Sequence, residues 1–298
     1  MTLRILIKRN MKLFFKDKGL FFTSLITPMI LLTLYATFLS NVYRDSFETV
    51  LTSFGLTAEE KLLNGMVGGQ LISSLLAVCC VTVAFCANML MVQDKVTSAR
   101  RDLTITPVKS STLALGYYLA TTFNTLLIAL LATAAGLAYI AVIGWYLSVA
   151  DVLCLLLDVF ILVMFGVALS SLINHFLSTQ GQISAVGSIV SSVYGFICGA
   201  YMPISQFSEG LQTALAFSPG TYATGLLRNH ALRGVFAEME EQNFPAAAIE
   251  GMRDTVDCNL YFFDSKVSIP VMYAVLGGAA LLAIAAYVLV NKRAQQAK

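Results

Sequence analysis

Apolar and polar positions alternate along this chain on a coarse scale: long apolar runs separated by short charged segments. A helix needs about 20 apolar residues to cross the hydrocarbon core of a bilayer. Six runs reach that length, at residues 20–39, 68–92, 112–141, 150–173, 182–202 and 268–290. Each predicts a transmembrane helix, and six crossings put both termini on one side. Residues 2–18 come before the first run. There Leu3, Leu6, Ile7, Phe14 and Phe15 are apolar, and Arg4, Lys8, Arg9, Lys12 and Lys16 are basic. That spacing predicts an amphipathic helix lying in the membrane interface. The apolar run after it is too long for a signal h-region and lacks a small-residue cleavage site.

The connections between runs differ in character. Residues 93–110 read QDKVTSARRDLTITPVKS and form the largest loop on the side of the termini, whereas the loop around 174–180 carries no Lys or Arg. On the other side, 41–64 is polar and acidic, and 203–267 is longer and mixed. The first half of that longer segment is moderately apolar and broken at Ser218-Pro219-Gly220, and neither half is long enough to span. A helix–break–helix at the outer leaflet is expected there, either re-entrant or on the surface. The second half, 236–266, reads as an acidic soluble loop. The expected fold is an all-α polytopic membrane protein, with residues 1–298 forming one transmembrane domain.

Composition supports this class. Of the 298 residues, 57% are hydrophobic and only 12% charged, against about 25% charged in an average soluble domain. The charges are also sorted. The side of the termini holds 13 of the 19 basic residues and three acids, and the opposite side holds six basic residues and 12 acids, with Asp151 and Asp158 set aside inside a run. By the positive-inside rule the termini are cytoplasmic, which for an inner or plasma membrane protein places 93–110 inside the cell. Five of the six cysteines lie inside apolar runs and only Cys258 sits in a polar segment, so no disulfide framework is read.

Catalytic signatures are missing. There is no GxxxxGK[ST], GxSxG or HExxH. His175 and His230 fall on opposite sides of the expected membrane, and no basic-aromatic surface suggests nucleic acid. Asp158 lies about two turns into the fourth run, where a carboxylate is expensive. It reads either as a proton or cation site or as a hydrogen-bonded carboxyl facing neighbouring helices. Asp151, at the outer mouth, reads as solvated. The fifth run has small and polar residues on more than one face, among them Ser188, Ser191, Ser192, Gly195 and Gly199, and Gly195 and Gly199 form a GxxxG step. Ser73, in the second run, belongs with them. Either intrachain packing or a subunit interface and pathway accounts for these.

The whole chain resembles the membrane permeases of type-2 ABC exporters. The likeness rests on the interfacial N-terminal helix, six runs, cytoplasmic termini, one main inner loop after the second run and a helix–break–helix between the last two. The inner loop resembles the family's charged stretch ending in a Thr-Pro step: Asp94-Lys95, then Arg100-Arg101-Asp102-Leu103, then Thr106-Pro107. The outer segment resembles the family's spaced pattern in Gly199, Pro203, Pro219, Tyr222 and Arg228. Many relatives carry Gly-Thr and a Glu in the inner loop where this chain has Ser98, Ala99 and the basic pair.

The resemblance implies a non-enzymatic transport subunit. It implies pairing with a second permease copy or paralogue, one cytoplasmic ATPase per permease carrying ATP and Mg, and no cofactor in this chain itself. It assigns ATPase coupling to Asp94, Lys95, Arg100, Arg101, Asp102, Leu103, Thr106 and Pro107 of the inner loop. It assigns the pathway or dimer interface to the first, second and fifth runs, including Ser73, Ser188, Ser191, Ser192, Tyr194, Gly195 and Gly199. Contact with membrane lipid is expected, and contact with nucleic acid is not. An amphipathic or hydrophobic substrate fits the apolar pathway better than a polysaccharide does. An ion-coupled carrier and a non-transporting scaffold or immunity protein are the alternatives.

Overall fold

The computed structural model describes residues 2–105, 108–263 and 265–296. The elements run α1 (Thr2–Lys16), α2 (Lys18–Leu34), a π-helical turn (Tyr35–Leu39), α3 (Ser40–Ser53), α4 (Glu60–Val96), α5 (Ala99–Ile105), α6 (Ser110–Ile143), α7 (Val149–Phe176) and α8 (Gln180–Ile197). A 3-10 turn (Ile204–Gln206), α9 (Glu209–Leu215), α10 (Pro219–Glu241) and α11 (Ala246–Thr255) follow. A two-stranded antiparallel hairpin, β1 (Tyr261–Phe262) and β2 (Ser265–Lys266), then leads into α12 (Ile269–Gln296). The expected all-α class is observed.

Five helical runs are long and apolar enough to cross a membrane: Lys18–Ser53, Glu60–Val96, Ser110–Ile143, Val149–Phe176 and Ile269–Arg293. The chain is a multi-pass membrane protein. The first run is one continuous helical rod of 36 residues. It carries Pro28 within α2, where the missing N–H opens the ladder, and the π turn follows. The fifth expected run, 182–202, is shorter than its sequence suggests. Its helix α8 stops at Ile197 after 18 residues, about 27 Å at 1.5 Å per residue.

The centre of the bundle is α4. It is buried from Leu62 to Asn88 almost without interruption, which explains why it is apolar on every face. Around it pack α2, α6, α7, α8 and α10. Two of these follow α4 in succession. Gly187 of α8 lies opposite Met89, and Gly69 of α4 is so close to Leu232 and the Ala231 carbonyl of α10 that a Cβ there would sit 2.6 Å from Leu232. Where α8 ends, α10 begins, with Gly220 against Tyr194 and Cys198. So α8 and α10 trace α4 as two partial helices meeting end to end, with α9 and the 3-10 turn thrown out between them.

For 203–267 the structure drops one of two alternatives and corrects one expectation. The helix–break–helix is present as α9 and α10, with the break before Pro219, which takes the N1 position. But α10 does not lie on a surface: 15 of its 23 residues are buried, and it packs against α4, α7 and α12. Nor is 236–266 a loop, since it contains the end of α10, α11 and the hairpin. Cys258, although in a polar segment, is buried, and that burial pushes its thiol up to about 12.

The N-terminal helix is amphipathic as expected, but its inward face is not turned to lipid. Leu6, Asn10 and Phe14 are buried against α6 and its neighbours.

Candidate functional site

The Val96 end of α4 gathers the first polar cluster. Asp94 accepts two hydrogen bonds from the Arg9 guanidinium, at 2.6 and 3.0 Å, and a third from the Tyr117 hydroxyl at 2.5 Å. A forked pair of this kind fixes orientation as well as distance. The hydrogen bonds that Arg9 donates to Asp94 hold the Arg9 pKa above its ordinary value, so the guanidinium stays charged. The adjacent Lys95 turns the other way. Its ammonium donates to the carbonyls of Asn174, His175 and Leu177 at 3.0, 2.6 and 2.7 Å. These belong to the last turn and the C-cap of α7, whose carbonyls lack helical partners. Two consecutive residues of α4 therefore grip α1 and α7.

One turn further on, Ser98 adopts a left-handed φ of 64° and the chain enters α5. Leu103 packs α5 against the core, Arg100 is half-buried, and Arg101 and Asp102 are exposed. Thr106 and Pro107 lie outside the described residues. Of the expected coupling residues, Asp94 and Lys95 are thus internal braces, and Arg101 and Asp102 are the outward pair.

The second cluster joins α8, α10 and the segment after α11. Arg228 and Asp257 form an ion pair at 3.0 Å with side chains only 1% and 4% exposed. Arg228 also donates to the Gly199 carbonyl at 2.5 Å, and Asp257 accepts the backbone N–H groups of Ile204 (2.5 Å) and Ser205 (3.2 Å). The Tyr222 hydroxyl donates to the Ala216 carbonyl at 2.6 Å and the Thr221 hydroxyl to the Leu215 carbonyl at 2.9 Å, which ties the end of α9 to the start of α10. The structure therefore brings Gly199, Pro203, Pro219, Tyr222 and Arg228 into one neighbourhood, and it adds Asp257.

Gly195 and Gly199 are not a helix-packing pair. Gly199 has φ 73°, past the end of α8, and the N–H groups of Ala200 and Tyr201 return to the Gly195 carbonyl as a helix cap. A side chain at Gly195 would overlap the Tyr201 ring of the same chain.

The third cluster lies between α7, α10 and α12. Asp158 bonds His230 Nδ1 at 2.6 Å and accepts from the Tyr273 hydroxyl at 2.5 Å. It is a buried carboxyl satisfied by neighbouring helices, as one of its two readings held. Two turns earlier on α7, Asp151 is buried and not solvated. It caps α7 with Ser148 and pairs with Arg233 of α10. The sequence could not show this because Arg233 is 82 positions away.

The expected pathway residues divide. Ser73 is fully buried within the chain, its hydroxyl donating to the Gln70 carbonyl at 2.9 Å. Ser188 and Ser192 are exposed. Ser191 lines a groove of about 420 Å³ with Ile30, Leu34, Tyr35, Phe196 and Tyr201. Tyr194 is buried with its hydroxyl unpartnered among the described residues. The groove separates α2 and its π turn from α8, and both sides expose apolar side chains, Met29 and Phe38 on one and Ile189 and Val193 on the other.

Sequence reasoning missed Arg9, Tyr117, Asp257, His230 and Tyr273 as partners. Asn88, which donates to Ser170 (3.1 Å) and Ser171 (2.8 Å), was legible as a polar residue inside an apolar run. Nothing local separates Arg9 from Arg4 or Lys8.

A multi-pass bundle with one basic end and a short helix between its second and third runs has the form of a transporter's membrane component. The family model for ABC-2 type transporters matches residues 1–231, from α1 into α10. The chain belongs to that family and is an ABC transporter transmembrane component. A search of curated proteins finds no match.

Proposed function

We propose that this chain is the transmembrane subunit of an ATP-driven exporter, with ATP and Mg bound by a separate cytoplasmic ATPase. In this reading α8 is a sixth, short crossing, both termini and α5 face the cytoplasm, and 203–267 faces outward. One observation carries the proposal. The short helix α5, with Arg101 and Asp102 outward, departs from an α4 end that is fastened to α1 by Arg9–Asp94 and to α7 by Lys95. A push on α5 is then delivered to three helices together. Closure of two ATPases moves two such ends, and the α2–α8 faces of two permeases open or close a route between them. The apolar, serine- and tyrosine-lined groove suits an amphipathic or hydrophobic substrate such as a drug, antibiotic, peptide or lipid.

The test is recovery of tagged chain from native membranes in mild detergent, with mass spectrometry and an ATPase assay on the eluate. A P-loop ATPase near one copy per permease supports the reading. Recovery of the chain alone, with no ATPase activity, overturns it. That outcome would favour an ion-coupled carrier, for which the Asp158–His230–Tyr273 cluster supplies a buried titratable site.

A further inference from the structure

The outer face of α1 has no partner in the fold. Its buried positions, Leu6, Asn10 and Phe14, are spent on α6 and its neighbours. On the opposite face Arg4, Lys8, Lys12 and Lys16 recur once per turn, and all four are exposed. The helix contains no acid at all. Among the described residues none of the four side chains takes part in an ion pair or a hydrogen bond. Arg9, the one cation of α1 off this row, is the one that has turned inward to Asp94. Like charges one turn apart repel. An anionic surface lying against the row would offset these repulsions. Two apolar side chains, Ile5 and Phe15, stand exposed among the cations.

We propose that this face binds the anionic headgroups of membrane phospholipids. Charge complementarity selects the phosphate-bearing surface, and Ile5 and Phe15 select a lipid layer over a purely polar partner. The helix is joined through Asp17 directly to the first membrane run, so the row lies at the edge of the bilayer. The usual arrangement of an interfacial helix is inverted here. The apolar stripe faces protein and the cationic stripe is left for the headgroups. The consequence reaches the coupling end of the molecule. Lipid that holds the outer face of α1 also holds Arg9 on Asp94, and so the α4 turn from which α5 departs. The inference does not depend on what the chain transports.

The experiment titrates the purified full chain in detergent with phosphatidylglycerol or with phosphatidylcholine of the same acyl chains, and counts retained lipids by native mass spectrometry. Wild type should prefer phosphatidylglycerol. The variant R4Q/K8Q/K12Q/K16Q should lose that preference by about fivefold for each charge removed. Glutamine is a good helix former, so α1 persists. The charge-retaining variant R4K/K8R/K12R/K16R should keep the wild-type preference, which separates charge from folding. Salt near 1 M, where the screening length is about 3 Å, should abolish the preference. An unchanged preference in the glutamine variant overturns the proposal. So does a glutamine variant that keeps its lipid preference but loses a co-purifying protein, since the row would then dock that protein.

Discussion

Replacing Arg228 by Met tests whether the buried ion pair holds α8, the 3-10 turn and α10 together. The substitution fills nearly the same space with an apolar chain. It leaves Asp257 charged and buried, still accepting from Ile204 and Ser205 but without its cation, and it leaves the Gly199 carbonyl unpartnered. Removing one member of a buried pair costs about 3–5 kcal/mol because the other charge is stranded. At 2–4 °C per kcal/mol, as in domains of 150–250 residues, the melting temperature should fall by roughly 6–20 °C. The double variant R228M/D257N removes the stranded charge, and the Asn carbonyl can still accept one backbone N–H. It should therefore be less damaged than the sum of the single variants, with a coupling of about 1–3 kcal/mol. Thermal unfolding in detergent, followed by loss of the monodisperse peak on size-exclusion chromatography, gives all four corners of the cycle. If R228M melts within about 1 °C of wild type, or the two losses simply add, the pair is not the fastening described here.

Further substitutions probe other parts of the argument. R100E/R101E should release a co-purifying ATPase while the bundle stays folded, and normal ATPase association would remove α5 from the docking surface. G195L should reduce the yield of folded protein by overpacking against Tyr201, at a cost of about 1–3 kcal/mol. Adding Y201A should recover stability, whereas full stability with lost transport in G195L would restore an interface role for that glycine. S98G should raise the melting temperature, because Ser98 holds a left-handed φ that costs a non-glycine residue about 1–2 kcal/mol. An unchanged or lower value would mean that the serine side chain offsets the strain. Cys258 should resist maleimide at pH 7.5 in the folded protein, since a thiol titrating near 12 holds almost no thiolate there, and should label on denaturation. Fast labelling of the native chain would show that the segment after α11 opens.

Much of the architecture was legible along the chain because membrane helices are set by a local quantity, the length of apolar sequence needed to replace water with lipid. Five of the six runs, the break at Pro219 and the amphipathic α1 follow from that quantity and from proline's missing N–H. The polar-rich α8 is where hydropathy misplaces a boundary, since Gly199 ends the helix by its conformation.

The candidate sites were legible only as residue types. Asp94, Lys95, Gly199, Tyr222 and Arg228 could be singled out from their order. Their roles could not, because each role is a distance to something remote. Arg9 and Asp94 are 85 positions apart, Asp158 and Tyr273 are 115, and Arg228 and Asp257 are 29. Buried charges find whichever partner packing delivers, and periodicity carries no record of that choice. For the same reason the sequence shows that α1 has two faces, and only the tertiary structure decides which of them the protein keeps for itself.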